Sequence, residues 1–191
     1  VVRLVGSEMC IRDSDKNKNY RICITQGNEL FMFDSKGTFV NGFKYKKQDQ
    51  IITSPKHFRI QNKDLIVFKT QSKFNIINRR GEVRIKLKSD IKFSNDNIYS
   101  YQNNLISTSN NNEILKIDLK GNINKMKEDN SNKIFIVSNN DYISYLINNS
   151  IKTQKNKIDL EFGKYSGLSL HENEKNIFLS LIHISEPTRR T

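Results

Sequence analysis

Apolar residues along this chain come in short runs broken by polar turns, and the runs repeat. Leu30-Phe31-Met32-Phe33-Asp34-Ser35-Lys36-Gly37-Thr38-Phe39 shares one frame with two later segments, Phe74-Asn75-Ile76-Ile77-Asn78-Arg79-Arg80-Gly81-Glu82-Val83 and Ile114-Leu115-Lys116-Ile117-Asp118-Leu119-Lys120-Gly121-Asn122-Ile123. The frame is apolar, two variable positions, apolar, Asp or Asn, any residue (itself apolar in the third copy), Lys or Arg, Gly, any residue, apolar. The glycines stand 44 and 40 residues apart. Ahead of each copy lies a second apolar run: Arg21-Ile22-Cys23-Ile24, Leu65-Ile66-Val67-Phe68 and Leu105-Ile106-Ser107-Thr108. Polar residues separate the two runs, with Gln26-Gly27-Asn28, Gln71-Ser72-Lys73 or Asn110-Asn111-Asn112 between them.

Two β-prone runs joined by a short polar turn predict a hairpin. The Asp/Asn-x-x-Gly element then turns the chain into a third strand, because glycine adopts the positive φ a tight turn needs. Asp34, Asn78 and Asp118 are placed to cap that turn with a side-chain oxygen. His57-Phe58-Arg59-Ile60 and Ile98-Tyr99-Ser100-Tyr101 add a strand before the second and third copies, which makes four strands per unit. Counting fifteen residues back from each glycine gives Ile22, Ile66 and Ile106, expected at equivalent buried positions, with Phe33, Ile77 and Ile117 facing an inter-sheet core. A fourth unit keeps the hairpin from Ile134-Phe135-Ile136-Val137 to Tyr142–Ile147. It puts Asn149 where a glycine is expected, which predicts one or two strands shortened or lost.

Composition adds bounds. The formal net charge is +12, from 32 Lys and Arg against 20 Asp and Glu. The basic residues are scattered, as at Lys44, Lys46, Lys86, Lys88 and Lys125, and the body is rich in Lys, Asn and Ile, a mark of adenine- and thymine-rich coding. Specific nucleic-acid recognition is therefore not indicated, whereas salt-sensitive adhesion to polyanions fits the charge. No apolar run is long enough for a spanning helix. Cys23, between Ile22 and Ile24, reads as a small buried apolar residue.

Candidate chemistry is sparse. Asp15, Asn17 and Asn19 alternate oxygen donors ahead of a strand, a weak metal candidate: only Asp15 is charged, and calcium takes six to eight oxygens. No other metal ligand, catalytic residue or cofactor-binding residue is singled out, and no cofactor is expected. His57 and His171 stand apart, and no GxSxG, GxGxxG or HExxH pattern occurs.

Over Ile22–Phe43, Pro55–Arg84 and Asn104–Asn122 the chain resembles an uncharacterised bacterial β-propeller family, related in pattern to quinoprotein-like and WD40-like propellers. The resemblance implies an all-β fold of propeller-like repeats of about 40–44 residues, incomplete at three to four four-stranded blades. Quinone-cofactor repeats of that group use tryptophan, and this chain has none. The resemblance further implies a non-catalytic binding or scaffold module for a protein or glycan, associated with the cell envelope. The alternatives are the propeller domain of a larger envelope enzyme, a polyanion binder, or, for the fold, an open stack of sheets.

The ends differ in character. Val1–Ser14 and Ser180–Thr191 resemble translated sequencing-adapter DNA. The expected organisation is thus an adapter-derived segment over 1–14, a partial propeller over 15–179 and a second adapter-derived segment over 180–191, with both native termini lying elsewhere.

Overall fold

The apolar runs of the sequence become strands that pair with their nearest neighbours in sequence, except after Gly37, where a single bridge from Phe33 to Phe39 stands in place of the expected strand. A computed structural model describes residues 9–12, 20–46, 49–126, 133–160, 164–173 and 176–184. The first sheet holds β1 (Met9–Arg12), β2 (Tyr20–Gln26) and β3 (Glu29–Asp34). The second holds β4 (Lys56–Ile60), β5 (Lys63–Lys69), β6 (Phe74–Ile77) and β7 (Val83–Ile85). The third holds β8 (Tyr99–Tyr101), β9 (Asn104–Thr108), β10 (Ile114–Ile117) and β11 (Ile123–Met126). The fourth holds β12 (Ile134–Ser138), β13 (Ile143–Ile147), β14 (Ser150–Thr153) and β15 (Lys157–Asp159). A hairpin of β16 (Lys164–Glu172) and β17 (Ile177–Ile184) follows. Strands run in chain order within each sheet, and all pairs are antiparallel.

The turns explain this local wiring. Gln61-Asn62 joins β4 to β5 at φ 47° and 58°, and Gln102-Asn103 joins β8 to β9 at 46° and 60°. Two consecutive left-handed residues form the turn whose twist matches a hairpin, and asparagine tolerates that region better than most side chains.

Packing is by layers. Cys23, Leu30 and Met32 of the first sheet meet Ile66, Phe68 and Ile77 of the second. Leu65, Val67, Phe74 and Ile76 of the second meet Ile98, Leu105 and Ile117 around the third. Tyr101, Ile106 and Ile114 of the third meet Ile134, Ile136, Ile143, Tyr145 and Ile147 of the fourth. The second and third sheets are thus buried on both faces, which is why β5 carries an unbroken apolar run from Leu65 to Phe68 and β6 is buried at every position, Asn75 included.

Two expectations need correction. Ile66 and Ile106 are both fully buried, but they face opposite ways, Ile66 toward the first sheet and Ile106 toward the fourth. Cross-strand pairing gives the true equivalents: Ile22 opposite Phe33, Ile66 opposite Ile77, and Leu105 opposite Ile117. The cause is one extra residue in the hairpin turn of the third sheet. Thr70 and Lys73 pair around Gln71-Ser72, whereas Ser109 and Glu113 pair around Asn110-Asn111-Asn112, with Asn112 at φ 59°. Moving one residue along a strand reverses the face. Ile22 is only partly buried, because the face it occupies has no preceding sheet against it among the described residues.

The fourth unit has not lost strands. Asn148-Asn149 is the tight turn between β13 and β14, with Asn148 at φ 54°, and the chain turns again at Thr153–Asn156 to complete four strands. Asn149 is therefore not the counterpart of Gly121.

Candidate functional site

The repeated polar loop has one geometry in three places. Asp34 Oδ1 accepts from the backbone N–H of Lys36 at 2.8 Å and of Thr38 at 2.9 Å. Asn78 Oδ1 accepts from Arg80 at 2.8 Å and Glu82 at 3.1 Å. Asp118 Oδ1 accepts from Lys120 at 2.8 Å and Asn122 at 2.9 Å. Gly37, Gly81 and Gly121 follow at φ 78°, 85° and 82°. Each oxygen already bonds two amides, and an amide oxygen at Asn78 does the same work as the carboxylates. Ser109 makes a fourth version with its hydroxyl, accepting from Asn111 at 3.2 Å and Glu113 at 3.1 Å.

Two of these loops touch the preceding connector. Lys44 N–H donates to Arg80 O at 2.8 Å, and Lys88 N–H donates to Gly121 O at 3.0 Å. A methyl group on Gly81 would lie 2.7 Å from the backbone of Lys44, and one on Gly121 would collide with the Lys86 carbonyl oxygen. Around Gly37 there is open space.

The sequence reading missed a buried polar cluster between the second and third sheets. Lys69 is fully buried, and its ammonium donates to Ser94 O at 2.8 Å and Asp96 O at 2.7 Å. Asp96 Oδ2 accepts from Ser94 Oγ at 2.8 Å and Thr108 Oγ1 at 2.9 Å, and the two hydroxyls also touch. Burial pulls the Lys69 amine down to about 8, countered by the Asp96 charge and reinforced by Lys56. The signal available in sequence was a charged residue ending a strand of otherwise apolar character. The cluster ties the connector before β8 to the end of β5, a structural use of charge, since its polar groups are spent on one another.

His57, treated as isolated, pairs with Asp64: Nε2 lies 3.1 Å from Oδ1, and Arg79 Nε lies 3.6 Å from the other oxygen. A nearly buried carboxylate gains an imidazole and a guanidinium as neighbours here. His171 is exposed. Cys23 is fully buried, and burial pushes its thiol up to about 12. Asp15, Asn17 and Asn19 lie outside the described residues. Among the described residues, no three His, Cys, Asp or Glu side chains gather as a metal site would require, and no helix is long and apolar enough to cross a membrane.

Two clefts occupy the same place in successive units. One of about 460 Å³ has a floor of Phe74, Ile76, Val83, Ile85, Leu87 and Phe93 and a rim that includes Lys73, Lys86 and Lys88. The other, about 360 Å³, is floored by Leu30, Met32, Phe39, Val40 and Phe43, with Glu29, Lys44 and Tyr45 beside them. Both are lined in part by the connector that leaves the sheet. The Tyr45 hydroxyl is buried and has no hydrogen-bond partner among the described residues.

Neither a family model nor a curated protein matches this sequence.

Proposed function

We propose that the chain is part of a β-propeller whose stacked four-stranded sheets are blades, and that it serves as a non-catalytic binding or scaffold module. The observation that carries this reading is the recurrence of an apolar cleft at equivalent places in two units, each with lysine at its edge: Lys44 in one, and Lys73, Lys86 and Lys88 in the other. Pockets of that kind take an inserted apolar side chain, while the rim favours acidic neighbours. The partner class is a protein segment presenting an aliphatic or aromatic side chain flanked by Asp or Glu. A second reading, adhesion to polyanions, is favoured by the +12 charge.

Selecting peptides from a random displayed library against the 191-residue chain tests the first reading. Binders should carry an apolar residue beside acidic ones, lose affinity for the Leu87→Glu or Phe43→Glu variants, and persist when salt is raised. Binding only of heparin or duplex DNA, with a steep loss of affinity in salt, would replace it with the second reading.

A further inference from the structure

The outer face of the first sheet matches in register a face that is covered elsewhere, apolar at three of four positions there and at all four here. Ile22 pairs with Phe33 and Ile24 with Phe31, as Ile66 pairs with Ile77 and Phe68 with Asn75 at an offset of 44 residues. In the second sheet these apolar positions are closed by the first sheet, with Ile66 at 0%, Phe68 at 0% and Ile77 at 1% exposure. In the third sheet the same face, Leu105 at 1% and Ile117 at 0%, is closed by the second. Ile22, Ile24, Phe31 and Phe33 keep the same chemistry but are only partly buried. Phe39 lies against this face, its ring centroid 4.5 Å from that of Phe33. Its own 61% exposure is an edge property, since Val83, its counterpart beside β6, is 62% exposed in a covered sheet.

We infer that the outer face of the first sheet, Ile22, Ile24, Phe31 and Phe33, docks a further four-stranded sheet of the same repeat, encoded upstream in the same protein. Continuity with the established stacking names the occupant. Each covering sheet in this molecule lies one unit earlier in the chain and offers aliphatic side chains from its second and third strands, as Cys23, Leu30 and Met32 do to the second sheet. A face left to solvent carries no selection for four large apolar residues in this register, whereas the inter-sheet faces here hold apolar residues at most of these positions, with Asn75 and Ser107 as the buried polar exceptions. The inference deepens the proposed propeller but does not need the ring to close. A stack that gains this sheet and stays open keeps it and overturns only the propeller.

The test starts with the source locus. Reading upstream should find the apolar-x-x-apolar-Asp/Asn-x-Lys/Arg-Gly-x-apolar frame with its glycine about 40–45 residues before Gly37. In the protein expressed from that longer gene, hydrogen exchange of the Ile22 and Ile24 amides should slow at least tenfold relative to the 191-residue chain. Phe33→Asp should abolish that slowing, and Phe33→Leu should keep it. An upstream frame without the repeat, or equal exchange in both chains, overturns the inference. So does a 191-residue chain that forms a stable dimer dissolved by Phe33→Asp, because a second copy would then be the occupant.

Discussion

Three glycines with the same φ do not have the same worth, because their neighbours differ. At Gly37 only the left-handed backbone opposes a side chain, so Gly37→Ala should cost about 1–2 kcal/mol. At Gly81 and Gly121 the preceding connector passes over the Cα, so alanine there must also displace backbone, and the cost should reach roughly 2–5 kcal/mol. Denaturant midpoints should place Gly37→Ala clearly closest to the parent; three equal losses would mean that the connector contact contributes nothing. Lys69 supplies a second residue-level prediction. Its amine titrates near 8 in the folded chain against 10.5 when free. Between those values the unfolded chain holds a proton that the native one has released, so stability should rise with pH across that window. Below 8 both states are protonated and the slope vanishes. The parent minus Lys69→Met difference in denaturation midpoint should show this rise, and a flat difference from pH 8 to 10.5 would refute it.

Alanine at matched strand positions reads the register directly. Ile66→Ala and Leu105→Ala remove side chains at equivalent, sealed sites and should each cost about 2–5 kcal/mol. Ile22→Ala, at the same place on the uncovered face, should cost roughly 1 kcal/mol, nearer the value for a partly exposed residue. Melts of the three variants decide it, and an Ile22 loss as large as the other two would mean that the outer face is already sealed. Strand order was legible in the sequence because each hairpin announces itself with local turn residues. Asn110-Asn111-Asn112 shows where that legibility ends. Both two-residue and three-residue hairpin turns are polar and asparagine-rich, yet they differ by one residue, and one residue decides which face Ile106 occupies. Asn148-Asn149 misled in the same manner, since asparagine serves tight turns and Gly-type positions alike. The Lys69 cluster was hidden for another reason: its partners are mostly backbone carbonyls of a connector 25 or more residues away, which no local pattern encodes.

At the scale of the whole molecule the ends of the stack carry the remaining argument. β1 takes the place in the first sheet that β4 and β8 take in the next two, pairing Met9 with Cys23 and Arg12 with Tyr20. At that position β4 and β8 each bury one residue, Ile60 and Tyr101, and otherwise serve backbone pairing, so many β-prone sequences can fill it. At the other end, β16 and β17 keep a regular register where Leu170 and His171 face Leu179 and Phe178, but it breaks between Tyr165 and Gly167, opposite His183 and Ile182. A methyl group on Gly167 would meet the Ile182 side chain at 2.9 Å. The irregularity thus falls within the stretch from Ser180 onward, where the sequence resembles adapter translation, and spares the stretch before it. A tail that did not evolve against β16 has no reason to match its pleat. We predict that Val1–Ser14 and Ser180–Thr191 are foreign to the gene. Amplifying the source locus and reading across both junctions should show the genomic sequence departing from this chain near Ser14 and near Ser180, with a β-prone segment in place of Met9–Arg12 and a strand that pairs with β16 without the break at Tyr165. Uninterrupted genomic coding through Met9-Cys10-Ile11 or Ile184-Ser185-Glu186 would make the tails native, and the break at Tyr165 would then be an evolved bulge that ends the hairpin.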